Sequence, residues 1–347
     1  MPPIVGIIAN PVSARDIRRV IANASSLQIT DRANIVLRVL ASLKACGIDD
    51  VLMMPERGGI RGHVERTLAR SASMEPGHFP RLRYVAMPLA GSVEDTHRAA
   101  AAMAKEGVAA IVVLGGDGTH RAVVAHCGSV PIAGISTGTN NAFPEHREPT
   151  ITGLAVGLAA SGKVPKSVAC FANKKIEVTI RANGEPDLRD IALVDAAIVT
   201  ERYVGARALW RIETFRELFV TFADPEVIGM SAIAGLIEPV GRSEPGGLAV
   251  ELAPMASATM ILRAPIAPGM TMPVGVASWR RLPAGEPCRP MTPTGSIALD
   301  GEREITFDEK HSLEIMLTND AFHTIDVGAV MRYAAKQGLM RHEHAVK

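Results

Sequence analysis

The residues best able to do chemistry are Gly115-Gly116-Asp117-Gly118-Thr119, which follow the most apolar run of the chain, Ala109 to Leu114. A helical pattern, Arg121 to Cys127, comes next and is closed by Gly128. Glycines lack Cβ, so their amides can turn toward a phosphate, and a helix N-terminus adds partial positive charge where the anion sits. Asp117 is the informative member. A carboxylate among phosphate-binding amides repels the ligand unless it binds Mg²⁺ or takes a proton from an acceptor hydroxyl, and both roles belong to phosphoryl transfer. The competing reading is a tight turn that Asp117 caps.

A second polar segment, Ser136-Thr137-Gly138-Thr139-Asn140-Asn141-Ala142-Phe143-Pro144, follows another apolar run, Pro131 to Ile135. Its hydroxyls and amides donate and accept hydrogen bonds without carrying charge, which suits a nucleotide or its ribose. Asn10-Pro11-Val12-Ser13-Ala14-Arg15 follows the first apolar run, and Arg15, Arg18 and Arg19 could clamp phosphate. One or two of these arginines face solvent, because three successive helix directions cannot all meet one cleft. Gly157 to Lys163 has Walker A spacing, but Val164 replaces the hydroxyl that would hold Mg²⁺ and a helix stands where a strand is required, so it reads as a helix end.

The elements that must position these residues come in two styles. Over residues 1–145, buried-strand runs (Ile4 to Ala9, Val51 to Met54, Tyr84 to Met87, Ala109 to Leu114) alternate with helical patterns at Asp31 to Ala45 and from Ser92, where Asp95 completes a capping box. Runs buried on both faces and joined by helices mean parallel strands, so this part reads as a doubly wound, Rossmann-like α/β domain. Residues 146–325 begin with a helix to about Ala160 and then alternate polar and apolar residues, with a hairpin over Lys175 to Arg181 and Ile191 to Val199. This predicts a mainly antiparallel, β-sandwich-like second domain. Leu209, Ile212, Phe215, Leu218, Phe219 and Phe222 recur every three or four residues and predict a helical insertion over Ala206 to Ile237. Residues 326–347 hold a last helix, Ala329 to Leu339, which packs back on one of the two domains.

With 347 residues the chain exceeds the usual reach of one hydrophobic core, and two domains are expected. Lys plus Arg number 37 against 36 acids, so no global field draws nucleic acid or an anionic membrane. The absence of a leader pattern or a long apolar run predicts a cytoplasmic protein without stable membrane association. Cys46, Cys127, Cys170 and Cys288 lie far apart and read as buried thiols, and the His342/His344 pair sits in a polar tail. A small-molecule acceptor and a homo-oligomer are expected.

The chain resembles the superfamily shared by NAD kinases and diacylglycerol-type lipid kinases, on Asn10-Pro11 with Ser13, Gly115 to Thr119, Gly138-Thr139-Asn140-Asn141, and Leu299-Asp300-Gly301-Glu302. Ala9 to Arg19 and Ser136 to Asn141 are most similar to the acetoin catabolism protein X branch. The resemblance implies ATP in a cleft between the two domains and Mg²⁺ beside it. It implies that Asp117 activates the acceptor or serves the metal, and that Glu302 is a second acid; the plain alternative for Glu302 is a solvated turn residue. Asn10, Ser13, Arg15, Gly115, Gly116, Gly118, Thr119, Thr137, Gly138, Thr139, Asn140 and Asn141 would then hold the nucleotide. NAD kinases usually carry an Asn-Glu pair for the NAD substrate; here Val194-Asp195 stands in that place, leaving Asp195 as the acceptor-binding residue. Ala14 replaces a glycine common in lipid kinases. The expected activity is an ATP- and Mg-dependent kinase of a small hydroxyl acceptor, with NAD the leading acceptor. The alternatives are a nucleotide-sensing protein without catalysis and a lipid kinase.

Overall fold

The computed structural model describes residues 2–11, 27–138, 141–182, 184–201, 212–301 and 303–341. The chain begins with β1 (Ile4–Ala9), α1 (Ile29–Ala45), β2 (Asp50–Met53), α2 (Ile60–Met74), β3 (Arg81–Tyr84), α3 (Val93–Glu106), β4 (Ala110–Gly115), α4 (Asp117–Val124) and β5 (Ile132–Ser136). Then come α5 (Pro149–Ala160), α6 (Lys166–Ala169), β6 (Cys170–Ala182), β7 (Leu188–Ala192), β8 (Asp195–Val199), β9 (Phe215–Val220) and α7 (Met230–Gly235). The remainder is β10 (Gly247–Leu252), β11 (Met260–Ala267), β12 (Met270–Leu282), β13 (Gly295–Leu299), β14 (Arg303–Phe307), β15 (His311–Ile325) and α8 (Val327–Lys336).

Among the described residues the strands form two sheets. The first has the order β3-β2-β1-β4-β5-β15-β6-β7, and the second β11-β12-β10-β9-β8-β13-β14. β3, β2, β1, β4 and β5 are parallel, as their both-face burial predicts. The second sheet is antiparallel throughout. The first sheet runs on past residue 145: β15 joins β5 in parallel at Thr324 and Ile132, then pairs antiparallel with β6, and β6 with β7.

Two cores flank the first sheet. Val5, Ile7, Val112 and Leu114 pack under α1 and α5, while Ile8, Ile111 and Val113 pack under α3 and α4. The latter core also takes in Leu193, Val194, Phe222 and Phe322, so the second sheet is joined to the first by apolar packing. The last helix docks on the first of these cores through Val330 and Ala334.

Four local expectations are corrected. Phe215–Val220 is a strand at the centre of the second sheet, paired with β8 and β10, not part of a helix. A strand buried on both faces can show apolar spacing that also fits a helix, which is what misled the periodicity. The run Ile191 to Val199 is not one strand: it breaks at Leu193-Val194, where the chain leaves the first sheet and enters the second. β3 lies at Arg81–Tyr84, earlier than the apolar run Tyr84 to Met87, because an edge strand keeps polar residues. At α3, Ser92 Oγ accepts from Glu94 N, but the Asp95 carboxylate turns to the amides of Ala90 and Gly91.

Candidate functional site

β1 and β4 are adjacent while the strands run outward from them in both directions, so the crevice beyond their carboxyl ends is the switch point where open α/β sheets bind ligands. The segments selected from the sequence meet there. Asn10 N–H donates to the Leu114 carbonyl at 3.2 Å, and its side-chain amide donates to Thr119 Oγ1 at 3.2 Å. The expected glycine loop is shorter than the sequence suggests. Gly115 ends β4, Gly116 is the N-cap, and Asp117 already starts α4. A Cβ on Gly115 would lie 2.5 Å from Thr119 Cβ, and one on Gly116 would lie 2.8 Å from Asn141 Oδ1. The glycines therefore let the strand end, the helix and the segment after β5 close on one another.

Asp117 is 8% exposed. Its Oδ1 accepts from Phe143 N at 2.9 Å and its Oδ2 from Ala142 N at 3.0 Å, which ties the end of β4 to the segment after β5. The carbonyls of these two residues face the other way and accept from Arg242, at 3.0 Å for Phe143. Arg242 lies 4.2 Å from the centre of the Phe222 ring and 5.4 Å from that of Phe143. Burial lowers its pKa from the ordinary arginine value, while Glu145 and Asp117 pull it up.

Several residues that no motif marked complete the site. Arg32 of α1 is 2% exposed and donates to the Asn10 carbonyl at 2.7 Å and to Thr137 Oγ1 at 3.3 Å, joining the ends of β1 and β5. Lys174 of β6 donates to the carbonyls of Gly241, Glu244 and Gly246 at 3.0, 2.7 and 2.7 Å, fixing the segment that carries Arg242. Burial lowers the Lys174 ammonium to about 8. His120, next to the motif, is fully buried with Nδ1 at 2.8 Å from the Gly116 carbonyl. Its Nε2 has no hydrogen-bond partner among the described residues, and burial pulls the ring down to about 4.

The Asp300 turn is where the second sheet reaches this site. Asp300 adopts φ +50°, a left-handed conformation that aspartate tolerates, between β13 and β14. Its carboxylate accepts from the amides of Leu193, Val194 and Asp195 at 3.1, 2.8 and 3.2 Å, at the point where the chain passes between sheets. Burial pushes the Asp300 carboxyl above its usual range, against Arg121 and those amides. Arg121 of α4 donates to the Leu299 carbonyl at 3.2 Å, so the helix that begins at Asp117 is tied directly to this hairpin. Val194 is 1% exposed within the apolar core, and Asp195 is buried.

Asn10, Gly115, Gly116, Asp117, Gly118, Thr119, Thr137, Gly138 and Asn141 thus fall at the ends of β1, β4 and β5. Asn141 donates to Ser136 Oγ at 2.8 Å. Ser13, Arg15, Arg18, Arg19, Thr139, Asn140, Glu302, His342 and His344 lie outside the described residues. Among the described residues no three His, Cys, Asp or Glu side chains group as a metal site, and no helix is long and apolar enough to cross a membrane. A cleft of about 270 Å³ opens beside Phe143, lined also by Gly134, Pro144, Arg147, Asn173 and Arg242. The four cysteines are free thiols, Cys46 and Cys127 buried and the other two half-buried.

Two known protein families match successive parts of the chain. Residues 5–163 match the ATP-NAD kinase N-terminal domain, and residues 174–320 match the acetoin catabolism protein X C-terminal domain. A solved structure of yeast NADH kinase complexed with NADH is 13% identical, covers 100% of this chain and 91% of its own, and has a TM-score of 0.49. The chain joins a part that matches the ATP-NAD kinase N-terminal domain to a part that matches the acetoin catabolism protein X C-terminal domain. Acetoin catabolism protein X of Cupriavidus necator is 57% identical over 98% of this chain and 94% of its own length, and the chain belongs to that family.

Proposed function

We propose that the chain is an ATP-dependent kinase that phosphorylates a hydroxyl of a small soluble metabolite, with NAD the leading acceptor. The observation that carries this reading is the position of Asp117, at the N-terminus of α4 in the switch-point crevice, with both carboxylate oxygens held by backbone amides. The start of α4 favours the phosphates of the donor, and Asn10 and Thr119 flank it. Asp117 takes the proton of the acceptor hydroxyl. The acceptor oxygen then bonds to the terminal phosphorus as the bond to the ADP oxygen breaks.

Among the described residues, the Asp117 carboxylate at the crevice suits a magnesium ion that arrives with the nucleotide, since Mg²⁺ keeps several waters and takes one or two carboxylates plus phosphates. When bound, it would neutralise phosphate charge. Asp117 is the described residue that would hold it.

A second reading, a nucleotide-sensing protein without catalysis, is favoured by the 193–195 segment. Val194 is buried in the core and the amides there are committed to Asp300, so the place of the NAD kinases' Asn-Glu pair lacks the side-chain amide that would hold NAD as an acceptor. An ADP-release screen with Mg²⁺ separates the readings. The acceptor panel should include NAD, NADH, other soluble alcohols and detergent-dispersed diacylglycerols. ADP release with a soluble acceptor, abolished in Asp117→Asn, supports the kinase. Tight ATP or NAD binding without release on any acceptor supports the sensor, and turnover confined to diacylglycerols would displace both.

A further inference from the structure

We infer that Arg242 is a positioning residue for Asp117, acting through the single peptide group between Ala142 and Phe143. The inference rests on the kinase reading of the Asp117 site. That peptide donates its N–H, on Phe143, to Asp117 Oδ1 at 2.9 Å, and its carbonyl, on Ala142, accepts from Nη2 of Arg242. One amide plane is therefore held between a carboxylate and a guanidinium, and both charges polarise it in the same sense. Arg242 also bonds the Phe143 carbonyl through Nη1 at 3.0 Å. This second bond fixes the tilt of the segment.

Arg242 comes from far along the chain, in the segment before β10, and that segment is itself anchored. Lys174 holds three of its carbonyls, Glu244 Oε2 accepts from Gly241 N at 3.2 Å, and Glu244 Oε1 pairs with Arg281 at 2.8 Å. The guanidinium is packed between the Phe222 and Phe143 rings, and Glu145, Asp224 and Arg147 are the other charges around it. The hydrogen bonds that link it to Asp117 run through residues 142 and 143, which makes it a support for that carboxylate. Through it the second half of the chain aims the acid of the first. A displacement of about 1 Å at a reacting group can cost about 10²-fold in rate.

The test compares Arg242→Ala, Arg242→Lys and Asp117→Asn with wild type, each checked for a cooperative melt. Arg242→Ala is expected to lower kcat about 10- to 100-fold while KM for ATP stays within about twofold. Arg242→Lys, which can reach one carbonyl but not both, is expected to fall between, and millimolar guanidinium ion should restore part of the Arg242→Ala rate. In an Asp117→Asn background the Arg242→Ala change should cost little more, because its effect runs through Asp117. Wild-type kcat in a folded Arg242→Ala variant, or full additivity with Asp117→Asn, would overturn the assignment.

NMR decides the matter without turnover. The Phe143 amide proton and the Asp117 carboxyl resonance should both shift in Arg242→Ala, and unchanged resonances also overturn it. A wild-type chain that turns over no acceptor, yet shows those shifts, sinks the kinase reading and leaves the Asp117–Arg242 coupling established.

Discussion

Two aspartates in different regions hold neighbouring segments by the same means. Asp117 accepts the amides of Ala142 and Phe143, and Asp300 accepts those of Leu193, Val194 and Asp195. Their surroundings differ. Asp117 begins a helix at the switch point of a parallel sheet, where a carboxylate is favoured by the helix dipole. Asp300 sits in a left-handed hairpin turn under the crossing between sheets, and burial disfavours its charge. Amide contacts alone therefore do not mark a catalytic acid, and the proposal for Asp117 rests on its place at the switch point.

The sharpest way to break this comparison is to neutralise each acid. Asp117→Asn is expected to lower turnover about 10²- to 10⁴-fold and to cost about 1–3 kcal/mol in urea unfolding, since Asn offers one oxygen to the two amides that Asp117 accepts. Asp300→Ala should cost more stability and less rate, about 3 kcal/mol or more in urea unfolding, since three buried amides lose their acceptor. If Asp300→Ala kept stability and lost only rate, the two regions would share one role. Lys174→Met should cost about 2–4 kcal/mol by the same measurement, because a buried ammonium and three carbonyls lose one another. It should also slow turnover, since Lys174 anchors the Arg242 segment, whereas a change at the Asp300 crossing acts on stability.

A pH-dependent effect concerns His120, on the Asp117 side. Its native pKa of about 4 lies below the ordinary 6.5 because burial disfavours the charged ring. The unfolded chain thus takes a proton that the native chain refuses. Stability is whole above pH 6.5 and falls toward pH 4, by about 1.4 kcal/mol per pH unit from this group. Urea unfolding of wild type and His120→Gln across that range measures it. A stability difference between the two that does not change with pH would show that His120 is not held neutral.

Much of the first sheet was legible because β1, β4 and β5 are short apolar runs closed by polar, glycine-bearing segments, and such runs have few other uses. The site residues beside them, Asn10, Gly115 to Thr119 and Asn141, stood out because chemistry and strand ends coincide in sequence. Phe215–Val220 was misread because its apolar spacing fits a helix as well as a strand buried on both faces. Ile191 to Val199 was misread because the break at Leu193-Val194 is held by Asp300, more than a hundred residues away.

By itself the sequence determined that a carboxylate stands among glycines after a central parallel strand, and that a second, antiparallel part follows. Only the tertiary structure decided what aims that carboxylate. Arg32, Lys174, His120 and Arg242 act mostly on backbone carbonyls, and for Arg32, Lys174 and Arg242 those carbonyls lie far away in the chain. A backbone carbonyl is the same group in every residue, so a bond to it leaves no mark on the residue that accepts it. Periodicity reports burial along one element, and the contacts of Lys174 and Arg242 exist only once distant parts of the chain have met.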